Sequence, residues 1–224
     1  YINDVIERND IRNDEELKTL IEIISSSIGS LTNPTKLYNT FISKGNKNIT
    51  NKTIASYLKY LEESFLIEKS KRFDVKGKKY IETPSKYYFV DIGIRNSLIN
   101  FRQIEKTHIM ENIIYTELRR RGFNVDVGIV EKRKIDKNGK KDYKQLEIDF
   151  VANKGSDKYY IQSAYSIEDN NKKEQELQSL LSVSDNFKKL VIVYDSFIKW
   201  QDDNGIIYIS IYDFLLNENS LKES

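Results

Sequence analysis

The sequence predicts an α+β protein in two parts: helices that run into a β-hairpin, then a mixed sheet flanked by helices. Three observations carry this. Apolar residues recur at helical spacing from Glu15 to Leu66. Between Ile67 and Val90 that rhythm gives way to two extended runs around a turn. From Asn124 onward, strand-length runs alternate with helical ones. A chain of 224 residues has room for one large domain or two small ones, at roughly 100–200 residues per domain.

Residues Glu15 to Ile28 place Leu17, Leu20, Ile21, Ile24 and Ile28 on one helical face, with Asp14 as N-cap and Gly29 as the stop. Asn33-Pro34 opens a second short helix through Leu37, Tyr38 and Phe41, which Gly45 ends. A third begins at Thr50 or Asn51, turns Ile54, Leu58 and Leu61 inward and closes at Phe65 and Leu66. Two extended segments, Ile67–Phe73 and Lys79–Val90, flank the turn signal Asp74-Val75-Lys76-Gly77-Lys78. Three helices and a hairpin in this order are expected to form a winged helix-turn-helix over residues 14–100, with 1–13 as a connector.

Ile109, Met110, Ile113, Ile114 and Leu118 mark an amphipathic helix that Gly122 ends. Strands are expected at Asn124–Ile135, Tyr143–Ala152 and Lys158–Tyr165, the first two joined through the hairpin signal Asn138-Gly139. A helix over Asn171–Ser182 turns Leu177, Leu180 and Leu181 inward. Strands at Leu190–Tyr194 and Ile206–Ile211 and a helix at Tyr212–Leu216 complete the chain. The domain boundary is expected between Leu98 and Lys106, giving a second domain over 101–224.

Composition excludes several classes. Charged residues make up 31% of the chain, and no apolar run approaches the ~18 residues a membrane helix needs. Aromatics at 12% argue against disorder. With no cysteine there is no disulfide, thiol catalysis or cysteine-ligated zinc, and the single histidine, His108, excludes a site that needs two. The net charge of +2 names no partner. There is no secretory signal, and the expected compartment is the cytoplasm. Because the first residue is Tyr1, the chain is expected to be a piece of something longer.

Two groups of residues carry chemistry. The first is a carboxylate set, Glu111 on the amphipathic helix and Glu147 and Asp149 on a strand. Side chains alternate along a strand, so Glu147 and Asp149 share a face opposite Ile148 and Phe150. If the apolar stripe of the helix packs on the sheet, Glu111 can approach Asp149. Carboxylates that converge at a sheet edge suit Mg²⁺, which takes oxygen ligands and leaves positions open for water and phosphate. His108 sits three residues before Glu111, although a lone histidine is more often solvated.

The second group is cationic. The third helix presents Asn51, Lys52 and Lys59, and the hairpin adds Lys71, Arg72, Lys76, Lys78 and Lys79. Polar residues at a helix N-terminus suit a major groove and a basic wing suits phosphates, so these eight are the expected DNA-binding residues. Protein–protein contact is the alternative use. A further basic stretch, Lys132, Arg133, Lys134, Lys137, Lys140 and Lys141, is read as a solvated hairpin.

The order helix-Glu111, strand-Asp149, next strand resembles the PD-(D/E)xK nuclease fold, in which an aspartate on one strand is followed by (D/E)-x-K on the next. Here that next strand reads Tyr160-Ile161-Gln162-Ser163-Ala164, so Gln162 replaces the acid and Ala164 the lysine. The resemblance implies a vestigial site of Glu111, Asp149 and Gln162, with Glu111 and Asp149 as ligands for any Mg²⁺. In some such nucleases the lysine lies on the following helix, here Lys172 or Lys173.

The strings Met110-Glu111-Asn112-Ile113-Ile114-Tyr115, Glu147-Ile148-Asp149-Phe150-Val151 and Tyr160-Ile161-Gln162 are also similar to a prokaryotic family of C-terminal domains of unknown function that follow an AAA-type ATP-binding domain. Thr53-Ile54, Tyr57-Leu58, Lys86-Tyr87-Tyr88 and Asp91-Ile92-Gly93 resemble its winged-helix segment. The chain contains no G-x-x-x-x-G-K-[ST] string, so the resemblance implies that ATP binds only in an upstream ATPase domain joined in cis. The expected function is a nucleic-acid-interacting, non-catalytic accessory region of that ATPase, with DNA as partner and homo-oligomers allowed. The alternatives are a Mg²⁺-dependent nuclease with an atypical site and a protein-interaction module.

Overall fold

A computed structural model describes residues 2–45, 49–102, 104–135, 141–166 and 177–222. The chain is a mixed α+β protein. In order it runs α1 (Ile2–Arg8), α2 (Asp14–Ser26), α3 (Pro34–Ser43), α4 (Asn51–Glu63), β1 (Ile67–Asp74), β2 (Lys79–Phe89), α5 (Ile92–Leu98), α6 (Lys106–Arg120), β3 (Asn124–Ile135), β4 (Lys141–Lys154) and β5 (Asp157–Ala164). Helical residues 177–181 (α7) follow. Then come β6 (Lys188–Val193), β7 (Trp200–Gln201), β8 (Ile206–Ser210) and α8 (Ile211–Leu216). Among the described residues no helix is long and apolar enough to cross a membrane.

The compact units divide the chain differently from a single cut near residue 100. One comprises Tyr1–Ser70 with Thr83–Asn112, the other Lys71–Glu82 with Ile113–Ser224. The β1–β2 hairpin is therefore split, its base in the first unit and its distal part in the second. The reason is backbone pairing. Arg72, Phe73 and Asp74 of β1 lie parallel to Val127, Gly128 and Ile129 of β3, and the Val75 N–H continues the ladder to the Ile129 carbonyl. The first strand of the hairpin expected to form the wing is, in its distal half, a strand of the sheet.

The first unit is built on helical periodicity. Leu17, Leu20, Ile21, Ile24 and Ile28 are all buried, with Leu37 and Phe41 of α3 and Ile54, Leu58 and Leu61 of α4. Full burial of each such side chain is worth about 1.5–3 kcal/mol. Leu66, Ile67, Tyr87 and Phe89 of the hairpin base complete this core. The short polar residues ahead of three helices act as caps: Asn33 Oδ1 accepts from Lys36 N–H at 2.7 Å, Thr50 Oγ1 from Thr53 N–H at 3.1 Å and Asp91 Oδ1 from Ile94 N–H at 3.0 Å. Asp14 is the first residue of α2 and not its N-cap; Asn13 holds that position. The expected connector also differs, since Ile2–Arg8 is helical and buries Val5 in the same core. Phe65 follows the end of α4 with φ +57° and is 73% exposed.

Asn112 closes this unit from α6. Its Oδ1 accepts from the Phe89 N–H and its Nδ2 donates to the Phe89 carbonyl, both at 2.8 Å. The side chain thus pairs with the end of β2 as a neighbouring strand would. It is 1% exposed. Asn112→Ala leaves both backbone groups of Phe89 without that partner and should cost about 2–3 kcal/mol, read as a lowered urea midpoint with an unchanged m-value.

The second unit is sheet-based. The strand order is β2-β1-β3-β4-β5-β6-β8-β7, with β5, β6 and β8 mutually parallel and β3, β4 and β5 antiparallel. β7, absent from the sequence reading, pairs antiparallel to β8 through Trp200 and Gln201. Val130, Ile148, Val151, Tyr160, Ala164, Leu177, Leu180, Val191 and Tyr208 are among the side chains of its core.

Candidate functional site

Asp149 stands at an irregularity. In the β3–β4 register Asp126 faces Val151 and Gly128 faces Ile148. Two residue steps on β3 thus oppose three on β4, which places one extra residue between Ile148 and Val151. That is a β-bulge, a device that re-aims side chains. Its effect is visible in the core: Ile148 and Val151, three apart, join the same cluster, whereas strict alternation would put them on opposite faces. Gly128 makes room, since a Cβ there would lie 2.8 Å from Val151 Cγ2 and 2.9 Å from Ile148 Cβ.

The β4–β5 ladder runs regularly from Lys154↔Asp157 up to Phe150↔Ile161. Beyond that point side chains take over. The Ser163 N–H donates to Asp149 Oδ2 at 2.8 Å, and the Asp149 N–H donates to Gln162 Oε1 at 3.4 Å. Asp149 and Gln162 therefore lie together, and each uses an oxygen on a backbone N–H of the opposing strand. Gln162 is 8% exposed. Ala164 is 1% exposed and belongs to the core cluster.

Glu111 is in the first unit, whereas Asp149 and Gln162 are in the second. The sequence reading gave Glu111 the role of metal ligand; the structure shows a different engagement. Its Oε1 accepts from Lys86 Nζ at 2.8 Å and from Tyr88 Oη at 2.6 Å. Lys86 is 4% exposed and Tyr88 fully buried. The carboxylate also rests against Gly29, where a Cβ would come within 3.2 Å of Oε2 and the φ of +71° independently favours glycine. Lys86 and Tyr88 were missed as site residues, although their i, i+2 spacing puts both on one face of β2. Among the described residues no three of His, Asp and Glu converge as metal ligands.

The cationic candidates are divided between the units. Asn51, Lys52 and Lys59 belong to the first and Lys71, Arg72, Lys76, Lys78 and Lys79 to the second. Asn51 and Lys52 are exposed on the first turn of α4, which carries no acidic residue. Lys59 is exposed and lies 3.5 Å from Glu63. Lys71, Lys78 and Lys79 are exposed. Lys76 reaches the Glu131 carbonyl at 3.0 Å. Arg72 is a correction: it is 8% exposed and directs Nη2 to Gln145 Oε1 at 2.9 Å, because its strand is a member of the sheet. His108 pairs with Glu105 at 3.3 Å, on the surface. Lys172, Lys173, Lys137 and Lys140 lie outside the described residues.

Residues 1–105 match the family described as "Domain of unknown function (DUF8612)". An uncharacterized protein of Haemophilus influenzae is 35% identical over 215 residues, which is 96% of this chain and 49% of its own length. An uncharacterized protein of Methanocaldococcus jannaschii is 32% identical over 175 residues, 78% of this chain and 36% of its own. The chain thus has bacterial and archaeal homologues and spans less than half of either.

Proposed function

We propose, on the premise that residues 1–105 carry the DUF8612 domain, that this chain is a nucleic-acid-interacting, non-catalytic accessory region of an ATP-binding protein. In this reading α2, α3 and α4 with the hairpin base form a winged helix-turn-helix, and α4 enters the major groove. The observation that carries it is the first turn of α4: Thr50 caps it, Asn51 and Lys52 are exposed, and no carboxylate lies there to repel phosphate. A helix N-terminus adds partial positive charge to that surface. Lys71, Lys78 and Lys79 are exposed in the second unit and are taken as separate candidate phosphate contacts, whereas Arg72, buried, is not. Asp149, Gln162 and the bulge are read as a nuclease-like scaffold that has lost its water-activating lysine. The ATPase, joined in cis, is part of the same proposal.

The test is a duplex-DNA titration at several salt concentrations. Log affinity should fall linearly with log salt. Asn51→Ala with Lys52→Ala should weaken binding about tenfold and reduce the salt slope by about one. Parent-like affinity and slope in that double variant would remove α4 as the contact surface.

A further inference from the structure

The second unit carries an aromatic strip along one edge of its sheet. β5, β6 and β8 run parallel, so their C-terminal ends lie at the same edge. Tyr165 and Tyr194 are the first residues beyond β5 and β6, and Tyr212 stands two residues beyond β8. Tyr165 lies flat on Tyr194, with ring centroids 4.9 Å apart and an interplanar angle of 9°. Tyr212 tilts against Tyr194 at 6.2 Å and 43°. A side-chain hydrogen bond with Tyr194 pushes the Tyr212 hydroxyl up from its ordinary value, and the nearby Asp195 carboxylate adds to this. The Tyr212 ring is therefore neutral and held in place before any partner arrives.

The short helix α8 has two faces. Ile211 and Phe214 are buried, 4% and 0% exposed, and fasten it to the unit. Tyr212 and Leu216, one turn apart, share the outer face and are 47% and 86% exposed. Tyr194, in contact with Tyr212, is 46% exposed. Large apolar groups exposed side by side in this way mark an interaction surface.

Charge states the kind of partner. Asp195 precedes this surface on the β6 side and Asp213 follows Tyr212 on α8. Asp195 Oδ1 accepts from the Ser196 N–H at 2.7 Å. Among the described residues neither carboxylate pairs with a lysine or arginine. Residues 193–198 and 209–218 contain no lysine, arginine or histidine. Their third carboxylate, Glu218, is engaged by Arg120 at 3.4 Å. A guanidinium group answers both features, since it stacks on an aromatic ring and pairs its fork of donors with a carboxylate. Its aliphatic stem suits an exposed leucine. A phosphate-bearing ligand finds nothing on these two segments to neutralise it.

The geometry points to this surface as a docking site for a basic segment of a partner protein, with an arginine that stacks on Tyr212 and pairs with Asp195.

The probes are fluorescein-labelled nona-arginine and nona-lysine, followed by anisotropy at roughly 0.15 M salt, where distant surface charges are screened. Nona-arginine should bind saturably and at least about threefold more tightly than nona-lysine, because the compact, strongly hydrated ammonium group stacks less well. Asp195→Asn, an exposed isosteric change, should weaken nona-arginine binding about threefold. Combined with Tyr212→Ala it should weaken binding about tenfold. Tyr212→Phe should bind as the parent does, because the ring makes the contact. No saturable binding of nona-arginine up to millimolar concentration overturns the inference. So does equal affinity for the two peptides, parent-like affinity in the double variant, or a Phe variant that binds as weakly as the double variant does. The peptides carry no phosphate and the α4 titration no basic peptide, so the two proposals can fail separately.

Discussion

Glu111→Ala should lower the unfolding free energy of the chain by about 3 kcal/mol, the low end of what breaking a buried ion pair costs. The carboxylate is the common acceptor of Lys86 Nζ and Tyr88 Oη, two groups that water scarcely reaches. Its removal leaves an ammonium group and a hydroxyl without the acceptor they share. Glu111→Gln should cost less, since an amide oxygen still accepts from Tyr88, but the charge opposite Lys86 is gone. The triple variant Lys86→Met, Tyr88→Phe and Glu111→Leu should recover most of the loss, because replacing a buried polar group together with its partners by apolar groups of similar volume is often neutral. The sign of the single change separates two roles. A carboxylate kept for metal binding at some cost to the fold would give a more stable protein when removed. A carboxylate that ties α6 to β2 gives a less stable one. Urea midpoints for the four proteins decide it, and an Ala variant within about 0.5 kcal/mol of the parent or above it would sink the structural role.

Local patterns made much of the first unit legible and little of what joins the hairpin to the sheet. The stripe Leu17, Leu20, Ile21, Ile24 is periodic and all of it is buried. Asn33-Pro34 and Thr50 announce helix starts that their side chains cap. Asn124–Ile135 was read with the bounds it has as β3. In contrast, α5 runs through Gly93 and Ser97, poor helix formers, and only the Asp91 cap marks its start. The hairpin reads as a wing because its turn is a local signal. Its parallel pairing with β3 joins residues more than fifty positions apart, and a backbone ladder leaves no trace in side-chain order. For the same reason Arg72 looks like a surface cation although it is buried against Gln145, 73 positions away. The bulge at Asp149 left only a faint trace, since Glu147-Ile148-Asp149-Phe150 alternates polar with apolar and only the apolar Val151 after Phe150 breaks the pattern. That Asp149 and Gln162 are neighbours was legible because each sits on a strand-length run and the two runs are consecutive. Lys86 was overlooked because its partner is 25 residues on, in another element.

Ala164→Lys should not restore phosphodiester cleavage and should destabilise the protein by at least about 1–3 kcal/mol. On sequence spacing, Ala164 stands where a nuclease of this pattern carries its lysine, and Gln162→Glu with Ala164→Lys is the natural repair. The structure changes that expectation. Ala164 is 1% exposed, in a core with Tyr160, Leu180, Val191 and Val193. A lysine must either carry an ammonium group into that apolar cluster, which costs several kcal/mol, or displace its neighbours, which costs roughly 1–3 kcal/mol. Gln162→Glu alone should be milder, but Gln162 Oε1 accepts from the Asp149 N–H and a second carboxylate there stands against that of Asp149. Like charges at such a site disfavour ionisation. The parent chain itself should leave linear, supercoiled and single-stranded DNA intact with Mg²⁺ or Mn²⁺, because metal-assisted hydrolysis needs a positioned, activated water as well as charge neutralisation. The assay sets the parent beside Asp149→Ala and the repaired double variant, with the urea midpoint of each measured first. Metal-dependent cutting by the parent that disappears in Asp149→Ala would overturn the non-catalytic reading. Cutting by a repaired variant that unfolds at the parent's urea concentration would show that a lysine at 164 reaches solvent, against its burial in this core.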